Sequence, residues 1–309
     1  LPIIAYQFEL LKRYGITDII VGVGYKTDHF RKVVLKTSKE MNIKSQLSVE
    51  DTPLGTGGGL KNAYPFFKKE KEVFFVFNGD VIADFNLDKI LAFHKEKEAY
   101  ATMCLVKIPD PSSYGLVLTD TDMTVKKFIE KPKKEEIISD TINAGLYIFS
   151  PDIFNETPSD RPVSLEREIF PALLEKGKKI YAFVHYGYWI DVGTIKKYQT
   201  ANFDVIEGKI GLFNFDIREL DGGKLIIGKN SFIKGGVNIK GKVVIGNNCF
   251  IGSDCAFEDS IIMDNTIIQD RTTIKNSVIG TDVVIENECT ITNKAVADKS
   301  LIRSFTCSI

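Results

Sequence analysis

The sequence predicts a doubly wound α/β domain followed by a three-sided parallel β-helix. Three observations carry that reading. Residues 1–205 alternate short β-rich apolar runs with longer segments of helical period, the pattern of helices packed on a sheet. Those apolar runs are continuous rather than alternating, which means burial on both faces, as in a parallel sheet. From about Leu225 the pattern changes: apolar residues recur every six positions, a period at which each repeat builds one side of a coil.

Taken in order, residues 3–14 space their apolar side chains as a helix that stops at Gly15. A strand is expected over 19–24, a helix over 28–37, and a buried strand over 73–77. A helix over 88–97 and strands over 101–108 and 125–129 follow. The first domain is placed at 1–209 and a linker at 210–224. The β-helix at 225–309 has the inward series Ile227, Ile233, Ile239, Ile245, Ile251, Phe257 and Met263. With two five-residue steps, after Met263 and after Ile274, the series continues through Ile268, Ile274, Ile279, Ile285 and Ile291. With three repeats to a coil, about four coils fit. Cys249 and Cys255, six apart, then fall on different sides of a coil and do not pair.

Composition narrows the class. A chain of 309 residues exceeds one ordinary core. With 44% hydrophobic and 26% charged residues it reads as globular. A net charge of −1 offers nothing to a nucleic acid or an anionic membrane surface. No apolar run reaches the ~20 residues of a membrane span, and no signal-peptide pattern opens the chain. Five cysteines without a Cys-x-x-Cys spacing argue against a disulfide framework or a zinc site. A reducing, cytoplasmic setting is expected.

Several motifs bear chemistry, and each has a plainer reading. Asp80 in Asn78-Gly79-Asp80 and Asp191 in Gly187-Tyr188-Trp189-Ile190-Asp191-Val192-Gly193-Thr194 are carboxylates at strand ends, the hard oxygen ligands that a phosphate-bound Mg²⁺ takes. Asn-Gly is equally a hairpin signal, and Trp189 reads as packing, with Asp191 the exposed member. Gly55-Thr56-Gly57-Gly58-Gly59 precedes a helical segment at 60–67. Its backbone N–H groups can approach a ligand closely, or it is a flexible surface loop. It matches neither the P-loop nor the dinucleotide fingerprint. In Glu130-Lys131-Pro132 the proline fixes the direction in which Lys131 leaves the strand, so the lysine neutralises a phosphate or caps a charged turn. Tyr114-Gly115 and Asn143-Ala144-Gly145 read alone as strand-edge turns.

Taken together and in this order, the motifs resemble those of the sugar-1-phosphate nucleotidyltransferases over nearly the whole chain. Ser164-Leu165-Glu166-Arg167-Glu168-Ile169-Phe170-Pro171 and the pattern at 74–80 look most like the mannose-1-phosphate guanylyltransferase (GDP-mannose pyrophosphorylase) branch. The resemblance implies a Rossmann-like mixed or parallel sheet and a left-handed β-helix of hexapeptide repeats. It implies in-line attack of a sugar 1-phosphate on a nucleoside triphosphate, giving an NDP-sugar and pyrophosphate, with mannose 1-phosphate and GTP as the expected pair. Glucose 1-phosphate with UTP, dTTP or ATP is the alternative. By the same resemblance Asp80 and Asp191 hold Mg²⁺ and Lys131 offsets phosphate charge. Gly55, Thr56, Gly57, Gly58 and Asn78 meet the nucleotide, while Gly115, Glu130, Asn143 and Glu166 hold the sugar.

The family opens with a strand, a Gly-x-Gly-x-Arg-Leu loop and a Lys-Pro. Leu1-Pro2-Ile3 looks like the segment just after that Lys-Pro, so the natural protein is expected to carry more chain ahead of it. A non-catalytic regulatory subunit shares the 54–59 and 303–306 motifs, although Asp191 argues against it. A hexapeptide-repeat acyltransferase needs a histidine base in the β-helix, and the last histidine here is His185. The β-helix is therefore read as a module for homo-oligomer assembly or regulation.

Overall fold

The computed structural model describes residues 1–24, 27–67 and 72–308. The chain divides into two compact units, Leu1–Trp189 and Ile190–Ile309.

In the first unit, helix α1 (Ile3–Arg13) buries Ala5, Tyr6, Phe8, Leu10 and Leu11, the spacing of one apolar helical face. Gly15, at φ +73°, turns the chain out of it. Strand β1 (Asp18–Val23), helix α2 (Thr27–Met41) and strand β2 (Lys44–Val49) follow. β1 and β2 pair in parallel, and Phe8, Val34 and Ile43 form a small core beside them.

Next come α3 (Gly55–Asn62), α4 (Tyr64–Phe67), β3 (Phe74–Phe77), β4 (Val81–Ala83) and α5 (Leu87–Glu96). They lead into β5 (Ala101–Lys107), β6 (Gly115–Thr119), β7 (Val125–Glu130), β8 (Thr141–Phe149) and α6 (Ile153–Glu156). One π-helical turn (Leu165–Ile169), α7 (Phe170–Glu175) and β9 (Ile180–His185) complete the unit. The main sheet is six-stranded, in the order β7-β6-β8-β5-β9, with β3 also paired to β8. β5 is buried on both faces, as its continuous apolar run requires, and runs parallel to β9. β8 is antiparallel to β3, β5 and β6, so the sheet is mixed, one of the two forms the resemblance implied, and not all-parallel as the apolar runs alone suggested. Two-face burial sets hydrophobicity and not strand direction, so the apolar run of β8 is the same for either course.

In the second unit, which short strand β10 (Trp189–Asp191) enters, Thr194 caps α8 (Ile195–Ile206) by accepting from Lys197 N at 3.2 Å. The stretch expected as linker carries strand β11 (Ile217–Leu220), antiparallel to β12 (Gly223–Ile227). The coils continue through β13 (Phe232–Ile233), β14 (Asn238–Ile245), β15 (Phe250–Ile251), β16 (Ala256–Ile262), β17 (Ile267–Ile268) and β18 (Thr273–Lys275). They end with β19 (Val278–Ile279), β20 (Val284–Ile285), β21 (Thr290–Thr292), β22 (Ala295–Val296), β23 (Leu301–Ile302) and β24 (Cys307–Ser308). One side of the β-helix stacks β13, β15, β17, β20 and β23 in that order. Five stacked strands make five coils, one more than expected.

Those pairs are parallel and in register, so Ile233, Ile251, Ile268, Ile285 and Ile302 form one inward column. The rise from coil to coil is not constant in sequence: stacked corners are 18 positions apart from Asn230 to Asn248, but 17 from Asn248 to Asn265. The shortening lies where Gly241 and Lys242 together face Asp259 alone, between the pairs Lys240↔Glu258 and Val243↔Ser260. Ile262, not Met263, is therefore the inward residue: Ile262 is fully buried and Met263 only half-buried. Asn230, Asn248, Asn265, Asp282 and Lys299 all turn one corner with φ between 56° and 60°. There the side-chain amides of Asn230, Asn248 and Asn265 donate up the ladder at 3.2, 3.1 and 2.9 Å. This is the left-handed β-helix. Cys249 and Cys255 are both free and buried in it.

The outer surfaces of the coils differ. One receives α8, which packs on β12 and β14; Gln199 of α8 donates to the Asp259 carbonyl at 2.7 Å. A second is polar, with Lys240 and Lys275 flanking Glu258 at 3.5 and 3.4 Å. The third carries an apolar ladder of Phe232, Phe250, Ile267, Val284 and Leu301, in which Phe232, Ile267 and Leu301 are 59%, 41% and 49% exposed. Among the described residues no helix is long and apolar enough to cross a membrane.

Candidate functional site

The first unit gathers several of the expected residues around one carboxylate. The π-helical turn, capped by Ser164, presents Glu166 half-buried; such turns widen the helix and recur at functional sites. Glu166 Oε2 accepts from Thr56 Oγ1 at 2.6 Å and from Ser164 Oγ at 2.9 Å. Glu166 Oε1 accepts from the Tyr147 hydroxyl at 3.0 Å. That hydroxyl in turn accepts from Asn143 Nδ2 at 2.5 Å, and Asn143 Oδ1 accepts from Gly145 N at 3.1 Å. Residues 110 apart in the chain are thus tied into one network.

Glu130 and Gly115 adjoin it. They are register partners on β7 and β6, and a Cβ on Gly115 would meet the Phe128 ring first and then Glu130 Oε2 at 2.9 Å, so glycine lets that ring and the carboxylate lie close to the strand. Burial, and then the Glu166 carboxylate, push the Glu130 carboxyl above its ordinary value, against the pull of Arg167 and Lys131. Asn78 joins from another side: its N–H donates to the Gly145 carbonyl at 2.8 Å. At φ +73° Gly145 brings its Cα face against the Asn78 side chain, where a Cβ would meet Nδ2 at 2.8 Å. Asn78-Gly79 is not a hairpin turn here, since β3 pairs with β8.

The glycine segment differs from a loop. Helix α3 begins at Gly55 itself, and the N–H groups of Gly57 and Gly58 donate to the Val163 carbonyl at 2.9 and 3.1 Å. Thr56 Oγ1 also accepts from Leu165 N at 2.9 Å. The glycines let this helix lie against the 163–165 backbone, where a Cβ on Gly55 would stand 2.7 Å from the Val163 oxygen.

Asp80 and Lys131 are exposed beyond the ends of β3 and β7. Lys131, at φ +50°, donates its N–H to the Tyr114 carbonyl at 3.0 Å, so the backbone does fix its direction. Trp189 packs as expected, with Nε1 on the Ala144 carbonyl at 2.9 Å and its ring edge-on to Tyr114. Asp191, expected exposed, is half-buried in the second unit with Lys197 Nζ on Oδ1 at 2.5 Å. An ammonium on that oxygen shows that the carboxylate suits a cation. Among the described residues no three His, Cys, Asp or Glu gather to hold a metal unaided. An exposed Asp80 and a cation-paired Asp191 are the donor type that Mg²⁺ takes as partial ligands beside phosphate oxygens and water.

Sequence reasoning missed Tyr147 and Ser164. Tyr147 lies four residues after Asn143 on β8, across the irregularity at Gly145, and that close spacing was the available signal.

An α/β domain joined to a left-handed β-helix is the class this fold defines. The nucleotidyl transferase family model matches residues 1–208, and the model for the GMPPB C-terminal domain matches 222–303; the chain belongs to the nucleotidyl transferase family. It is 38% identical over 201 residues to mannose-1-phosphate guanyltransferase beta-A of Xenopus laevis, covering 65% of this chain and 55% of that one. It is likewise 38% identical over 199 residues to mannose-1-phosphate guanyltransferase of Saccharomyces cerevisiae, covering 64% and 54%. The chain thus spans about half the length of the curated relatives it matches. Among solved structures it is similar to HddC from Yersinia pseudotuberculosis, with a TM-score of 0.55 at 30% identity over 63% of this chain and 82% of that one.

Proposed function

We propose that the protein is a sugar-1-phosphate nucleotidyltransferase acting on mannose 1-phosphate and GTP to give GDP-mannose and pyrophosphate. One observation carries the reading: the network that ties Thr56, Glu166, Tyr147 and Asn143 together beside Glu130 and Gly115. A cluster of carboxylate and amide groups built on β7, β8 and the π-helical turn suits the hydroxyls of a sugar. The identity of the pair rests on the guanyltransferase names of the relatives, with glucose 1-phosphate and another nucleotide as the second reading.

In this mechanism Glu130, Asn143, Glu166 and the Gly115 backbone hold and orient the sugar. Thr56, the 55–58 turn and Asn78 border the nucleotide. Lys131 offsets charge on the attacking phosphate, and the direction of attack is held by positioning rather than by covalent help. Asp80 and Asp191 are the ligands proposed for Mg²⁺, which would neutralise phosphate charge when bound. Five free cysteines suit a reducing, cytoplasmic setting. We further propose that copies associate through the β-helix.

The test is pyrophosphate release by the full-length protein, with each nucleoside triphosphate paired with mannose 1-phosphate and with glucose 1-phosphate. GTP with mannose 1-phosphate should give the strongest Mg²⁺-dependent signal, and Asp191→Asn should remove it while leaving the protein folded. A different best pair corrects the substrates. Silence from a folded protein in every pairing favours a regulatory subunit.

A further inference from the structure

We infer that Tyr147 is a positioning residue that sets the hydrogen-bond polarity of the sugar site, a deepening that rests on the function proposed above. Tyr147 is 1% exposed, and its ring packs against Phe149 and Phe170, with centroids 5.7 and 5.4 Å away. The hydroxyl therefore has one fixed position, between Glu166 Oε1 and Asn143 Nδ2.

The direction of each bond follows from the donor inventory. An ionised Glu166 only accepts, so the Tyr147 proton must point to it. The hydroxyl oxygen is then left to accept, so Asn143 must turn its NH₂ group toward it. The carbonyl end of Asn143 consequently faces the N–H of Gly145, at 3.1 Å, which is the partner it needs. Each assignment is consistent with the next, so one buried hydroxyl fixes the amide flip of Asn143 and anchors Oε1 of Glu166, whose Oε2 is held by Thr56 and Ser164. The result is an acceptor in Glu166 and a donor in the second N–H of Asn143, presented side by side. Two neighbouring hydroxyls of a sugar, one donating and one accepting, match that pair. Burial raises the Tyr147 hydroxyl well above its ordinary value, which keeps its proton in place.

Tyr147→Phe keeps the packed ring and deletes only the hydroxyl. In the full-length protein it should raise KM for the sugar 1-phosphate about 10- to 100-fold, the loss expected for a hydrogen bond to a charged group. KM for the nucleotide should stay within about twofold and kcat should change little, because the lost contact orients ground and transition states alike. In a Glu166→Gln background the same change should add less than about twofold, since it acts through Glu166. A merely structural tyrosine would instead lower the melting temperature and move both KM values together. An unchanged sugar KM in an active Tyr147→Phe protein overturns this inference alone. A wild-type protein that turns over no sugar 1-phosphate overturns the proposed function, and this inference with it.

Discussion

Glu130 shows how the fold alters a single residue. Half-buried next to Glu166, its carboxyl is pushed above the ordinary value. Between that ordinary value, 4.5, and the raised one, the folded protein binds more protons than the unfolded chain. Stability therefore falls as pH rises through that window and stays reduced above it. Glu130→Gln removes the titration, so the variant should melt higher than wild type near pH 7, and the gap should close near pH 4. A gap that ignores pH would show that burial, not ionisation, sets the effect. Glu130, Asn143 and Glu166 were legible as candidate site residues only through the order of the motifs. Tyr147 was not, because in sequence it is one more aromatic in an apolar strand, and only β8 packing against the π-helical turn adds Glu166 to the Asn143 partner on its own strand.

Elements differ in how openly the chain declares them. The β-helix is announced by its period because each coil repeats the same steric problem. Its corners need positive φ, which asparagine and aspartate tolerate far better than branched residues. Asn265, at φ +60° with its amide on Asp282, makes this testable. Asn265→Val should cost about 1–3 kcal/mol in a denaturant titration, whereas Asn265→Gly should cost less. A valine variant within about 0.5 kcal/mol of wild type would mean that the corner carries no conformational demand. The shortening of the coil was not legible, because the single position dropped opposite Gly241–Lys242 only looks like one short step in a list of isoleucines. Helix α3 was read as a loop for a related reason: four glycines disfavour a helix, and the Val163 carbonyl that holds it belongs to a segment far along the chain.

For the whole molecule, the outer ladder of Phe232, Phe250, Ile267, Val284 and Leu301 is the place where association through the β-helix would be felt. Apolar side chains aligned on successive coils form a contiguous stripe, unlike scattered surface hydrophobics. In a two-fold antiparallel pairing Phe232 would meet the Leu301 position of a second copy and Ile267 its own counterpart, the isologous arrangement common in dimers. Phe232→Glu with Leu301→Glu should therefore lower the mass measured by light scattering while leaving the melting temperature nearly unchanged. A mass that does not move places any association elsewhere.

The sequence by itself determined the α/β and β-helix classes, their order, and most of the candidate site residues, because periodicity, glycine and paired motifs are local properties. The tertiary structure decided the antiparallel course of β8, the number of coils and the step at which they shorten, and the Thr56–Glu166–Tyr147–Asn143 network. Each of these depends on a contact between residues far apart in the chain, and no local pattern encodes which distant partner a strand, corner or hydroxyl will find.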